Sequence, residues 1–262
     1  MRIALCISGQ PRWIERTYHE HIKKNLIDPN GEVDVFVHTW FDESVAGKVI
    51  MQAAGMYQAS EPISAQTPEI ITDLYHPKVV KIEPQRQFDV KDYANRKLEF
   101  INVFYQLSAI YSIWAANELK TRYEMENRFT YDVVIRLRFD FCLESPLLLS
   151  DYPMTKVYVV NNCAHHDGIN DQFAFSGSYY MNVYSDLTNW IEQYYRTSNV
   201  RFAGECLIRH HLEQQGIPFG AIDVPTILMH QVIERERQAA IARKAENEYN
   251  RSRIPPVWTP KG

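Results

Sequence analysis

Charged side chains interrupt an apolar segment in the middle of this sequence. The segment Tyr131-Asp132-Val133-Val134-Ile135 is rich in apolar, β-branched residues, which is typical of a buried strand. Arg136, Arg138 and Asp140 follow on alternate positions, so they share one face if the strand continues to residue 140. Burying these ions without partners is costly. We therefore expect the strand to end in a crevice where the charges meet an anion and a metal ion.

Two earlier segments also end in polar residues. The first strand, residues 2–8, runs into the loop Ser8-Gly9-Gln10-Pro11-Arg12, and a helix is predicted over residues 13–26. A glycine-containing loop before a helix is a natural place for a phosphate group or the edge of a base. The second strand, residues 33–39, carries His38 and leads into Trp40, Phe41 and Asp42.

Three further side chains are predicted at comparable positions. Asp171 ends a polar loop directly before a short strand at residues 173–178. Glu205 lies at the start of a helix predicted to run to Gln215, and His230 follows a final strand predicted over residues 221–229. Together with the residues above, they form the candidate site.

Strands and helices alternate along the chain, which predicts an α/β fold with a mostly parallel central sheet flanked by helices. The other predicted elements are strands at residues 78–82 and 156–160, helices near residues 45–57 and 69–75, a long helix at residues 97–123, and helical spacing after residue 178. We expect one domain over residues 1–230, then a charged helical tail and disordered C-terminus over residues 231–262. The tail either lies along the body or reaches a partner subunit, which would make the protein a homo-oligomer.

The bulk composition excludes several classes of partner. The net charge of −4 gives no reason to expect nucleic acid or an anionic membrane. No apolar run approaches the ~20 residues of a membrane span, and the N-terminus lacks the features of a signal peptide, so a cytoplasmic protein without a transmembrane segment is expected. The 4 cysteines form no Cys-x-x-Cys pair, and Cys6 and Cys142 lie in apolar surroundings, so we expect no disulfides.

The candidate residues suit a diphosphate accompanied by a hard divalent cation. Arginine side chains pair with phosphate oxygens in a bidentate manner. Mn²⁺ and Mg²⁺ prefer a carboxylate plus the oxygens of a bound phosphate over a full set of protein ligands.

The order of the motifs resembles that of small glycosyltransferases with the GT-A fold, a Rossmann-like fold, from bacterial surface-polysaccharide gene clusters and large viruses. The resemblance covers roughly residues 1–230, and its most specific parts are Arg136-Leu137-Arg138-Phe139-Asp140 and Asp171-Gln172-Phe173. It implies transfer of a hexose or deoxyhexose from a nucleotide diphosphate sugar to a glycan or glycoconjugate hydroxyl, in polysaccharide biosynthesis. The expected nucleotide and diphosphate residues are Ser8, Gly9, Gln10, Arg12, His38, Arg136 and Arg138.

The chain departs from the family's metal motif. The resemblance implies an Asp-x-Asp pair at the end of the central strand, but only Asp140 is a carboxylate there, and Arg138 stands where the first aspartate would be. Two arrangements are open. Either Asp140 and the diphosphate hold Mn²⁺ or Mg²⁺ with His230 as a further ligand, or the arginines neutralise the diphosphate themselves.

An inverting transferase needs a base within hydrogen-bond reach of the acceptor hydroxyl. Asp171 is our first choice and Glu205 our second, and a retaining mechanism stays open.

Two other functions fit parts of the pattern. A nucleotidyltransferase that makes a nucleotide sugar would release pyrophosphate. A non-catalytic carbohydrate-binding or scaffold protein predicts strand-end charges that pair with each other and bind no nucleotide.

Overall fold

Nine strands occur in the residues that the computed structural model describes, which are 1–49, 61–93, 102–162 and 167–252. Seven of them form the central sheet in the order β3-β2-β1-β4-β7-β6-β8, and β5 pairs with β9 in a second, small sheet. The strands are β1 (Ile3–Gly9), β2 (Val33–Trp40), β3 (Val79–Glu83), β4 (Val133–Arg138), β5 (Phe141–Leu143), β6 (Val157–Val160), β7 (Phe173–Ser176), β8 (Phe219–Ile222) and β9 (Thr226–Leu228).

Helices connect these strands and cover both faces of the central sheet. They are α1 (Ile14–Thr17), which continues through a π-helical segment (Tyr18–Ile27) into α2 (Asp28–Asn30), then α3 (Thr67–Tyr75), α4 (Val103–Asn127), α5 (Ser178–Ser185), α6 (Ile191–Thr197), α7 (Gly204–Gln214) and α8 (Met229–Ser252). Short 3₁₀ turns occur at Lys91–Tyr93, Leu149–Asp151 and Asp186–Asn189.

The predicted α/β fold with a mostly parallel sheet is confirmed. β1 pairs in parallel with β2 and β4, β2 pairs in parallel with β3, and β6 pairs in parallel with β8. β7 is antiparallel to both of its neighbours. The carboxyl ends of β1, β2 and β4 therefore meet at one edge of the sheet, where ligands commonly bind in α/β proteins.

Alternation along the strands divides the core into two layers. On β4, Val133, Ile135 and Leu137 belong to the layer that includes Ile14 of α1. Val134 belongs to the opposite layer, which contains residues of α4, α5 and α7 and which we call the α4 face. Because successive side chains of a strand point to opposite faces, Arg136 and Arg138 lie on the α4 face.

The sheet ends earlier than the sequence predicts. The prediction of a strand through Asp140 is wrong, because β4 ends at Arg138 and residues 139–140 form a turn. The predicted single strand over residues 221–229 is also wrong, since β8 and β9 belong to different sheets. Pro225 lies between them and has no backbone N–H for a ladder hydrogen bond.

The C-terminal helix begins before the predicted tail. α8 starts at Met229, so His230 lies in its first turn and the predicted boundary after residue 230 falls inside the helix. α8 extends to Ser252. Residues 253–262, most of the helix predicted near residues 45–57, and residues 97–101 of the long predicted helix lie outside the described residues.

Three of the 4 cysteines lie among the described residues. Cys6, Cys142 and Cys206 are free and buried, while Cys163 is not among the described residues. In the described part of the chain, no helix combines the length and apolar character needed to cross a membrane.

A buried ion pair on α4 is hydrogen-bonded to α5 near the entry to β4. The Lys120 side chain has 0% exposure, and its Nζ donates to Glu124 Oε2 at 2.9 Å, Ser178 Oγ at 2.7 Å and Asn182 Oδ1 at 2.7 Å. Glu124 Oε1 also accepts a hydrogen bond from the Tyr131 backbone, at the entry to β4. This network satisfies a charge pair that would otherwise be costly to bury.

Lys120→Met is expected to lower the free energy of unfolding by about 3–5 kcal/mol, because Glu124 then stays buried without its cation. Adding Glu124→Gln should recover part of the loss. The matched control is Arg209→Met, which removes an i,i+4 pair with Glu213 whose side chains are 41% and 46% exposed; its cost should stay below about 1 kcal/mol. Urea unfolding measures all three, and equal stability of Lys120→Met and wild type would contradict the account.

Candidate functional site

Ser8, His38 and Arg138 lie in one row across the carboxyl edge of the parallel strands. Ser8 of β1 is the register partner of His38 on β2 and of Arg138 on β4. Neighbouring residues in register point to the same face of a sheet, so all three side chains lie on the α4 face. Arg136 lies two residues earlier on that face. The structure thus brings four of the predicted nucleotide-binding residues together.

Arg138 and Asp140 form a bidentate ion pair at the end of β4. Arg138 Nε donates to Asp140 Oδ1 at 2.7 Å, and Nη2 donates to Oδ2 at 2.7 Å. Arg12 Nη1 lies 3.8 Å from the same Oδ2. Burial alone would raise the pKa of Asp140, but Arg138, Arg12 and His230 hold this pKa at about 2. Asp140 is therefore ionised at any physiological pH.

The small sheet and the start of α8 fix the turn that carries Asp140. The Met229 backbone N–H donates to the Asp140 carbonyl at 2.9 Å. Cys142 of β5 packs in one buried cluster with Trp13 and Met229. In the first turn of α8, His230 interacts electrostatically with Asp140, and burial lowers the pKa of its imidazole.

The arrangement around Asp140 does not fit the predicted Mn²⁺ or Mg²⁺ site. Both oxygens of Asp140 accept hydrogen bonds from Arg138, and Arg12 adds a second cation. Within the described ranges, no three His, Cys, Asp or Glu side chains are grouped so that they could hold an ion. A divalent cation at Asp140 and His230 would have to displace one guanidinium group and would be repelled by another.

Arg136 occupies the interior side of the site. Its side chain is buried, and Nη1 donates to the Gln172 carbonyl at 3.0 Å. Its Nε and the hydroxyl of Tyr184 are both buried and have no hydrogen-bond partner among the described residues. Burial lowers the pKa of Arg136, and electrostatic interactions with Tyr184 and Asp171 oppose the fall. A polar ligand atom could satisfy both donors.

Asp171 packs against the start of α7. A Cβ atom added to Gly204 would lie 2.6 Å from Asp171 Oδ2, so only glycine leaves room for this carboxylate. The Gly204 backbone N–H donates to Gln106 Oε1 at 2.7 Å, which gives Gln106 of α4 a structural partner. Burial and the nearby Glu205 raise the pKa of Asp171, while Arg138 and Arg136 oppose the rise. Asp171 is therefore a stronger base than an ordinary aspartate.

The loop after β1 contributes polar atoms near the arginine pair. Gly9 has φ +117, a value that favours glycine, and its carbonyl accepts a hydrogen bond from Thr39 at 2.8 Å. Gln10 Nε2 donates to Gln85 at 3.3 Å. Ser8 Oγ, Gln10 Oε1 and Arg12 Nε are buried atoms for which the described chain offers no hydrogen-bond partner. These atoms are candidates for contact with a ligand.

The His38 side chain is more deeply buried than its predicted nucleotide-binding role requires. Its side chain has 0% exposure, with Nδ1 at 2.7 Å from Ser112 Oγ and Nε2 at 3.0 Å from Glu83 Oε1. Burial is the main reason that its pKa falls to about 4, so the ring is neutral at pH 7. Direct contact with a nucleotide would require one of these bonds to break, and the binding role stays a prediction.

Sequence reasoning missed the partners of the site residues more than the residues themselves. Glu83 on β3, Ser112 on α4 and Tyr184 on α5 touch or face site residues, but they are distant in sequence. In the sequence, Tyr184 is one aromatic residue in a predicted helix and carries no signal of its own. Gln106 of α4 accepts a hydrogen bond from the first residue of α7 and so caps that helix.

The charged cluster does not line either of two cavities on the surface. One, of about 170 Å³, lies beside Pro11 and Ile14. The other, of about 410 Å³, is at the opposite edge of the sheet and is lined by Tyr123 and Tyr131. In the cluster, the side chains of Arg138 and Arg12 are in contact with solvent, at 25% and 17% exposure.

No protein-family model matches the chain, and no curated protein matches it.

Asp171→Asn is expected to stabilise the protein at about pH 8. A carboxyl group whose pKa is raised by folding stabilises the fold when protonated, and this contribution is lost as the pH rises through the raised pKa. The variant avoids that loss, so its melting temperature should exceed that of wild type at about pH 8, and the gap should shrink toward about pH 5. Asp73→Asn, an exposed position on α3, is the control and should show no gap. A variant less stable than wild type at both values would show that attraction to Arg138 and Arg136 outweighs the effects of burial and Glu205, and would contradict the raised pKa.

Proposed function

We propose that this protein is a glycosyltransferase that moves a sugar from a nucleotide diphosphate sugar to a hydroxyl group of a glycan or glycoconjugate, with inversion at the anomeric carbon. One observation carries the proposal. Arg12, Arg136 and Arg138 gather at the carboxyl edge of the parallel strands beside Asp171, whose pKa is raised. Cations for a leaving group and a base for an acceptor are the two requirements of this reaction.

The arginines support the binding of a diphosphate. Guanidinium groups match phosphate oxygens in charge and in the geometry of their parallel N–H donors. Arg12 Nε and Arg136 Nε are buried donors without a partner in the described residues, so a ligand oxygen would remove a desolvation cost that both now carry. Ser8 Oγ lies in the same row as Arg138 and can donate to the same ligand.

The transfer step needs only groups that the site contains. The acceptor oxygen attacks the anomeric carbon, and the bond from that carbon to the diphosphate oxygen breaks, leaving its electron pair on the diphosphate. Asp171 takes the proton of the acceptor hydroxyl. The arginines stabilise the negative charge that develops on the leaving group. Glu205 strengthens Asp171 as a base through its like charge, and it is the second choice for the base itself.

A second candidate is a non-catalytic carbohydrate-binding or scaffold protein. Mutual pairing of the strand-end charges is what this function predicts, and Arg138 pairs with Asp140 in that way. The two functions differ in whether a nucleotide binds. The partnerless buried donors of Arg12 and Arg136 favour the transferase.

Thermal melting with UDP, GDP and dTDP sugars is the first test. At least one should raise the melting temperature, because a ligand that binds only the native state stabilises it by mass action. A CMP sugar carries a single phosphate and should raise it less. No shift with any nucleotide would contradict the proposal and favour the scaffold function, whereas pyrophosphate release from a nucleoside triphosphate and a sugar phosphate would identify a nucleotidyltransferase.

Asp171→Asn separates binding from transfer. With the donor identified by melting, this variant should keep its affinity within a small factor while sugar transfer, or slow hydrolysis of the donor, falls by about 10²–10⁴-fold. Glu205→Gln should retain activity and move the acidic limb of the pH profile to lower pH, because removing the like charge lowers the pKa of Asp171. An Asp171→Asn enzyme with near-wild-type turnover would remove Asp171 from the mechanism and leave Glu205 as the candidate.

A further inference from the structure

We infer that Arg138 takes the place of a divalent cation, so that the protein binds a nucleoside diphosphate without metal and Asp140 acts by positioning Arg138. The inference rests on the proposed function for its ligand class. Of the two arrangements that the sequence leaves open, it chooses neutralisation of the diphosphate by arginines over Mn²⁺ or Mg²⁺ held by Asp140 and His230, and it adds the positioning role of Asp140.

Arg138 binds Asp140 with two of its three guanidinium nitrogens. Nε and Nη2 both bond Asp140, one to each carboxylate oxygen, at 2.7 Å. These two bonds leave Nη1 outside the contact with Asp140. The Asp140 side chain is 3% exposed and that of Arg138 is 25% exposed. An incoming ligand therefore meets the cation first, and the carboxylate lies behind it.

Two arginine side chains surround Asp140 with positive charge. Arg12 Nη1 lies 3.8 Å from Oδ2 on the side of the β1 loop, and His230 of α8 acts electrostatically on the carboxylate. Two fixed guanidinium groups already compensate the single carboxylate. A divalent cation at this position would lose a bidentate contact between Arg138 and Asp140 and would gain repulsion from Arg12.

Arg138 lies beside the end of β1, at the carboxyl edge of the parallel strands. Arg138 is in register with Ser8, and a Cβ added to Gly9 would lie at an ordinary contact distance of 3.8 Å from Arg138 Cγ. The aliphatic part of Arg138 therefore lies beside the β1 loop while Asp140 holds its charged end. Such a double constraint keeps the cation at one point beside the loop, which is the role that a bound metal has in other diphosphate sites.

The direct test is calorimetric titration of the whole protein with UDP, GDP and dTDP, in chelator and then with Mn²⁺ or Mg²⁺. We expect the dissociation constant to change by less than about threefold, since the fixed cations are arginines. Binding that requires the metal would overturn the inference and leave the proposed function intact. Absence of binding under both conditions would overturn the proposed function, and the inference with it.

Asp140→Asn gives different predictions for the two roles. If Asp140 positions Arg138, loss of the bidentate bond frees the guanidinium group, and affinity for the diphosphate should fall by about threefold or more, equally in chelator and with metal. If Asp140 binds a metal, the variant should lose metal-dependent affinity. Mn²⁺ paramagnetic resonance provides a second readout: wild type and variant should leave the same fraction of Mn²⁺ free, and Mn²⁺ binding that Asp140→Asn abolishes would overturn the inference.

Arg138→Lys keeps the charge but removes the fork. Affinity for the diphosphate should fall by at least about tenfold, equally with and without metal, because lysine cannot bond Asp140 and a phosphate in one plane. The matched controls are Arg209→Lys and Glu213→Gln, which alter an exposed pair on α7 and should leave affinity unchanged. Thermal melting of each variant verifies folding. Unchanged affinity in a folded Arg138→Lys protein would contradict the role assigned to Arg138.

Discussion

The bond between Arg138 and Asp140 is the interaction on which the rest of the site depends. Neither ion could lie at the end of a buried strand alone, because an unpaired buried charge costs several kcal/mol. Their pairing lets a cation lie at the edge of an otherwise apolar sheet. It also draws in Arg12 from the β1 loop and His230 from α8, so that three separate parts of the chain meet at one carboxylate. β5, β9 and the first turn of α8 enclose the turn that carries Asp140.

Two aspartates at this edge of the sheet have opposite environments. Asp140 faces two arginines, which keep its pKa low despite burial. Asp171 is partly buried near Glu205, and desolvation and that like charge raise its pKa. One carboxylate is thus permanently ionised and fixes a cation, while the other is poised to accept a proton. Pairs of carboxyl groups whose surroundings separate their pKa values are a common way to divide roles within an active site. Gly204 permits the second environment because no other residue leaves space for Asp171.

Much of the sheet was predictable from local pattern, but the contacts of the site were not. β1, β2 and β4 are short apolar runs with clear ends, and alternation on β4 predicts that Arg136 and Arg138 share a face. The same alternation wrongly continued the strand to Asp140, because a turn that folds a carboxylate back onto its own strand leaves no signal of period two. The partners of His38 come from β3 and α4, and tertiary packing alone brings them together. The sequence therefore identifies charged residues at a strand end. It does not show which of them pair with each other, because that pairing depends on tertiary contacts.

The most direct test of the account is a crystal structure of the protein soaked with the nucleoside diphosphate that binds it in chelator. The account predicts diphosphate oxygens within hydrogen-bond distance of Arg138 and Arg12, with Asp140 still bound to Arg138 and Asp171 beside the position of the anomeric carbon. A nucleotide held elsewhere, or a metal ion between Asp140 and the diphosphate with Arg138 turned away, would contradict it.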